Sequence, residues 1–104
     1  MPTGTWIITG TGGGNDGSIL MNCRIVGTST GYDFCSPQPN SQVLASSTST
    51  SPPINFTFNN YQGWNWTVTI DSLTPRPSGS WSNNDTASLE GEVGTWNTGV
   101  GEPT

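Results

Sequence analysis

The chain has no histidine, no lysine and only two basic residues, Arg24 and Arg76, among 104. Without histidine there is no Ser-His-Asp or Cys-His machinery and no histidine-based metal site. Without lysine there is no Schiff base and no P-loop. Charged residues make up 9% of the chain, against a usual ~25%. The net charge is −5, and two arginines cannot build the basic patch that nucleic acid or an anionic membrane requires. No apolar run approaches the ~20 residues of a membrane-spanning helix. The first residues carry no signal-peptide pattern. That leaves either a cytoplasmic protein or a mature domain behind an added Met1, and the polar surface of Ser, Thr, Asn and Gly points to the second, extracellular or periplasmic.

Aliphatic residues are scarce as well. Hydrophobic residues amount to 30%, so the core must rest on a few large side chains. The five tryptophans are the obvious source, since each buried aromatic removes ~150–250 Å² from water. Three stand in a Gly-x-Trp tripeptide: Gly4-Thr5-Trp6, Gly79-Ser80-Trp81 and Gly94-Thr95-Trp96. The other two, Trp64 and Trp66, share one side of a strand-like run.

Alternation with a period of two dominates, and no useful segment shows a helical period. Ile54, Phe56 and Phe58 alternate with Asn55, Thr57 and Asn59. Trp64, Trp66, Val68 and Ile70 alternate with Asn65, Thr67, Thr69 and Asp71. Asn59-Asn60-Tyr61-Gln62-Gly63 joins the two runs as a hairpin. Further strand candidates are 5–11, 19–27, 31–35, 42–45, 79–82 and 86–96. Asn83-Asn84-Asp85 reads as a turn, and Gly94 marks a possible bulge. The fold class is therefore all-β: a small antiparallel barrel or sandwich of about seven or eight short strands, largely a meander. Residues 1–97 form one domain, and 98–104 read as a frayed tail. The run from Ala45 to Pro53 is low in complexity and reads as a loop, as does Thr74-Pro75-Arg76-Pro77-Ser78.

Cys23 and Cys35 flank the turn Gly27-Thr28-Ser29-Thr30-Gly31. In a hairpin centred on Ser29 they face each other, which predicts a disulfide and an oxidising compartment. The alternative is a pair of thiols used as small hydrophobes. Two cysteines are too few for a Cys-only zinc site, and no metal or cofactor is expected. Gly12-Gly13-Gly14-Asn15-Asp16-Gly17 matches G-x-G-x-x-G, but the strand-like sequence after it cannot supply the helix that receives a pyrophosphate. It reads as a turn.

Enzymatic chemistry is confined to carboxylates. Glu90 and Glu92 project from one strand face, at a separation that could suit a glycosidase pair. Opposite Ala87, Leu89 and Val93 they read instead as a solvated outer face, and the protein is not expected to be an enzyme.

Gly4-Thr5-Trp6, followed by Ile7-Ile8, resembles the Gly-x-Trp that opens lipocalin- and avidin-like (calycin) barrels. That resemblance implies a structural Trp6 closing the barrel floor, with a small ligand toward the other end. A single Trp, a Gly-rich loop and a Cys pair near the N-terminus are also similar to small bacterial protease-inhibitor barrels.

Function then turns on the tryptophans. Either the side that carries Trp64 and Trp66 is the core, or its tryptophan end emerges where flat indoles can stack on sugar rings. The second reading predicts a non-catalytic, carbohydrate-binding domain. Its site would be Trp64, Trp66, Tyr61, Asn59, Asn60 and Trp81. The alternatives are a protein-interaction domain, either an inhibitor or a self-associating coat subunit, and a calycin-like barrel holding a small apolar ligand.

Overall fold

The computed structural model describes residues 2–12, 20, 22–37, 39, 41–84 and 91–102, with backbone alone at 11–12, 84 and 91–102. Eight strands follow one another: β1 (Thr5–Gly12), β2 (Cys23–Gly27), β3 (Tyr32–Cys35), β4 (Val43–Ser47), β5 (Ile54–Tyr61), β6 (Trp64–Ser72), β7 (Ser78–Asn84) and β8 (Gly91–Glu102). They form one antiparallel sheet in the order β4-β3-β2-β1-β8-β7-β6-β5. Strands next to each other in sequence pair in the sheet except β4 and β5, and β8 returns to pair with β1. The sheet curls until its edge strands β4 and β5 lie side by side without a ladder between them. It is thus an up-and-down barrel left open at one seam. The abutting edges partly shield their own unpaired backbone groups.

The alternation read in the sequence sets the inside and the outside. Ile54, Phe56 and Phe58 on β5 and Trp66, Val68 and Ile70 on β6 are buried. Asn55, Thr57 and Asn59 are exposed. Trp6, Ile8, Cys23, Ile25, Tyr32, Phe34 and Trp81 complete the interior with Leu20 and Leu73. The aliphatic shortage is met by rings. Trp81 lies 5.4 Å from Trp66, Trp66 stacks at 6.3 Å on Phe58, and Phe58 stacks at 5.4 Å on Phe34. Such pairs add to area burial through their quadrupoles.

The β5–β6 hairpin closes with Gln62-Gly63, both at positive φ (56° and 81°), the signature of a type I′ turn whose twist suits the strands. Asn59 and Asn60 together face one residue, Asn65, because the register shifts between Phe58 and Tyr61. Asn60, at φ 60°, is the left-handed residue of that bulge.

Three expectations need correction. The tail does not fray at residue 98: β8 continues to Glu102, and Thr98, Gly99, Val100, Gly101 and Glu102 all pair with β1. The register shift in this ladder falls between Trp96 and Thr98, not at Gly94. Asn83 and Asn84 belong to β7, not to a turn; Asp85 lies outside the described residues.

The disulfide is also corrected, since both cysteines are free and buried. The loop Thr28–Gly31 closes with the Thr28 amide donating to the Gly31 carbonyl at 2.8 Å. This centres the hairpin between Ser29 and Thr30 and pairs Cys35 with Arg24. A one-residue slip exchanges sheet faces. Cys23 therefore points inward opposite Ile8, while Cys35 shares the outer face with Arg24. The step from cysteine pairing to an oxidising compartment loses its support.

Burial pushes the Cys23 thiol up to about 12; the Tyr61 hydroxyl hydrogen-bonded to it pulls the other way, and nearby Cys35 adds to the rise. In the unfolded chain the same thiol ionises near 9.0. Between these values the unfolded chain has released a proton that the folded chain keeps. Stability is therefore full below the lower value and is lost as pH rises toward the upper one. Burial raises Cys35 and Tyr61 as well, in the same sense. Urea unfolding across this alkaline window should show a steadily falling midpoint, with a shallower fall in Cys23→Ala. At neutral pH, thiol reagents should modify Cys23 only in the unfolded chain, and rapid labelling of the native protein would contradict its placement.

Candidate functional site

The six residues proposed from sequence divide in the structure. Trp66 and Trp81 are 2% and 4% exposed and belong to the ring stack. The indole N–H of Trp66 donates to the Tyr61 carbonyl at 2.9 Å, so even its polar edge is committed inside. Neither offers a face to a sugar. Tyr61 and Trp64 are half-buried and pack against the core. Tyr61 meets Phe58 and Trp66 edge-on at 5.8 and 6.4 Å. Asn59 and Asn60 are exposed, and the Asn60 amide donates to the Asn65 carboxamide oxygen at 3.3 Å. These residues form the end of the β5–β6 hairpin, with the Tyr61 and Trp64 rings half-covered by the core. Glu90 and the Gly13–Gly17 loop lie outside the described residues; Glu92 is placed by its backbone pairing with Asn83.

A different cavity has the features of a site. It lies at the opposite end of the barrel, where β1 begins and where the β4–β5 and β6–β7 connections turn. Its volume is about 450 Å³, within the usual range of small-ligand pockets. Trp6 and Tyr32 line it, with Leu73 and Pro52 supplying further apolar surface. The two rings meet edge-on at 6.1 Å and 61°. Thr3, Thr50, Ser51 and Thr74, each carrying a hydroxyl, also line the cavity, and among the described residues Asp71 is the one carboxylate of the lining. The Ser72 hydroxyl is already engaged, donating to the Thr74 carbonyl at 2.9 Å.

Trp6 is 3% exposed, and its indole N–H is buried without an acceptor. A buried donor left unmet costs about 1–3 kcal/mol, so native proteins rarely leave one. Trp6 also lines the cavity, so the unmet donor belongs to a residue of its wall.

Sequence reasoning singled out Trp6 as architecture and missed the cavity. Its lining comes from four distant segments: residues 3–6, 32, 50–52 and 71–74. In an up-and-down sheet alternate connections share an end, so the two proline-bearing loops must meet the start of β1. That parity is the signal that brings Trp6, Tyr32, Thr50 and Asp71 together.

Comparison with protein-family models, with curated proteins and with solved structures returns no match. Any functional reading therefore rests on the residues themselves.

Proposed function

We propose that this protein is a non-catalytic binding domain for a neutral carbohydrate, held in the Trp6–Tyr32 cavity. The observation that carries this reading is that Trp6, whose buried indole N–H has no acceptor, lines a cavity whose other lining residues include Thr3, Thr50, Ser51 and Thr74. A sugar hydroxyl accepts from that N–H and in turn donates to the Asp71 carboxylate. The Thr and Ser hydroxyls can act either way, which suits a ligand whose own groups are both donors and acceptors. The surrounding apolar edges of Trp6, Tyr32 and Leu73 suit the C–H surface of a pyranose. Among the described residues no cationic side chain lines the cavity, which disfavours an anionic ligand. An entirely apolar ligand would leave the Trp6 donor unsatisfied.

The calycin resemblance points toward the other end of the barrel. In that direction Phe58, Trp66 and Trp81 fill the interior with packed rings, and this favours the Trp6 end instead.

Nuclear magnetic resonance gives a direct test, because each tryptophan contributes one indole N–H signal. Titration with neutral oligosaccharides should move the Trp6 signal. Trp6→Phe keeps a ring and deletes the donor. It should weaken binding up to about tenfold, the worth of one hydrogen bond at 1.4 kcal/mol per decade. If no neutral glycan moves the Trp6 signal, the reading fails.

A further inference from the structure

On the outer face, away from the Trp6 cavity, a second concavity of about 490 Å³ is lined by Thr5, Ile7, Asn22, Arg24 and Pro37. We propose that it is a binding site for a small organic carboxylate, recognised by the guanidinium of Arg24.

Arg24 stands on β2 between Ile7 of β1 and Cys35 of β3. Its Nη2 donates to the Ser41 hydroxyl at 2.6 Å. Its Nε is buried and has no acceptor. Among the described residues no carboxylate pairs with Arg24. The nearby Asp33 carboxylate accepts instead from the Ser46 hydroxyl at 2.6 Å. An arginine presents five donors in a fixed fork; here one arm is held by Ser41 and the Nε–H has no acceptor.

The surroundings hold it in place. The β3–β4 connection folds back on itself: the Ser36 hydroxyl accepts from the Gln42 amide at 2.8 Å, and the Ser41 amide donates to the Pro37 carbonyl at 3.1 Å. Ser41 sits at φ 43°, a conformation non-glycine residues adopt rarely. That turn delivers its hydroxyl to Arg24. A left-handed serine spent on orienting one guanidinium is the kind of local cost found at ligand sites.

The ligand class follows from charge and lining. A single guanidinium in the lining of a chain of net charge −5 matches a monoanion better than a phosphate dianion or a polyanion. A carboxylate fits the planar fork two oxygens to two N–H groups. Ile7 is 43% exposed beside it, and Pro37 adds a second apolar wall. The anion should therefore carry an aliphatic or aromatic substituent.

The experiment is a titration of the wild-type protein followed at the arginine side chains. The sequence holds two arginines, so the Nε–H spectrum has two signals, and Arg76→Lys assigns them. Benzoate and hexanoate should shift the Arg24 signal and the backbone amides of Ile7 and Asn22, and leave Arg76 unmoved. The matched amides, benzamide and hexanamide, should not. Arg24→Lys keeps the charge but not the fork and should bind about tenfold more weakly. Arg24→Gln should abolish the response. Equal shifts from the neutral amides would overturn charge recognition. Shifts as large from inorganic phosphate would overturn the carboxylate assignment. No movement of the Arg24 signal with either acid would overturn the site itself, whatever the variants do. Neutral glycans, acting at Trp6, should leave Arg24 unmoved, so the two sites stand or fall separately.

Discussion

Trp66→Ala is expected to destabilise the fold by about 3–5 kcal/mol, the cost of emptying a large aromatic site in a packed core. For a domain of this size that lowers the melting temperature by on the order of 20 °C. Total stabilities run to only about 5–15 kcal/mol, so much of the margin is lost. The size of the effect comes from position. Trp66 is 2% exposed and contacts Phe58, Tyr61 and Trp81 ring to ring. Its indole N–H also satisfies the Tyr61 carbonyl. Trp66→Phe keeps a ring in the stack and gives up that hydrogen bond, for a smaller loss of roughly 1–2 kcal/mol. Trp64→Ala, at the half-buried hairpin end, should cost about 1 kcal/mol. Urea unfolding of the three variants orders them. A Trp66→Ala midpoint equal to the wild type, or quenching of Trp66 by acrylamide in the native state, would contradict the ring stack. Glycan binding to Trp66→Phe should match wild type, because the proposed ligand meets Trp6 at the opposite end.

The sequence carried the inside and outside of β5 and β6 almost completely, because alternation is a local property. Ile54 to Phe58 and Trp66 to Ile70 need only their own neighbours to declare a buried face. What it could not carry is anything decided by pairing. The segment Gly91–Glu102 is rich in glycine and polar residues and shows no clean alternation past Trp96. It is a strand because β1 lies beside it, from Thr5 against Glu102 to Gly12 against Gly94. The cysteines failed for a similar reason. The turn Gly27–Gly31 allows its centre on Ser29 or half a residue later, and the hydrogen bonds of Thr28 choose the second. Half a residue of turn geometry moved Cys35 to the other face. The Trp64/Trp66 ambiguity had a third cause. A period of two says that both tryptophans share a face but not whether that face is covered; here Trp81 from β7 and Phe58 from β5 cover Trp66. The ligand cavity was the least legible, since no two of its segments are adjacent in the chain.

Gly79→Ala should destabilise the fold by about 3 kcal/mol or more, and it separates two reasons for placing glycine in Gly-x-Trp. Gly79 is the second residue of β7, two before the buried Trp81, at φ 151°, in a region open mainly to glycine. A Cβ there would also overlap the Thr69 carbonyl oxygen on β6. That oxygen belongs to the ladder and cannot move alone, so β6 and β7 must part locally beside the register shift between Ile70 and Ser72. Two other glycines isolate the components. Gly63 has φ 81° but nothing within 4 Å of a Cβ; Gly63→Ala bears only the left-handed cost of roughly 1–2 kcal/mol. Gly31 has an ordinary φ, but its Cβ would overlap the Ser47 carbonyl oxygen, so Gly31→Ala bears only the steric cost. Chemical unfolding of the three single variants should rank Gly79→Ala as most destabilised and Gly63→Ala as least. Were Gly79→Ala no worse than Gly63→Ala, conformational freedom alone would account for the glycine. The close approach of β6 to β7 would then not be what delivers Trp81 into the ring stack.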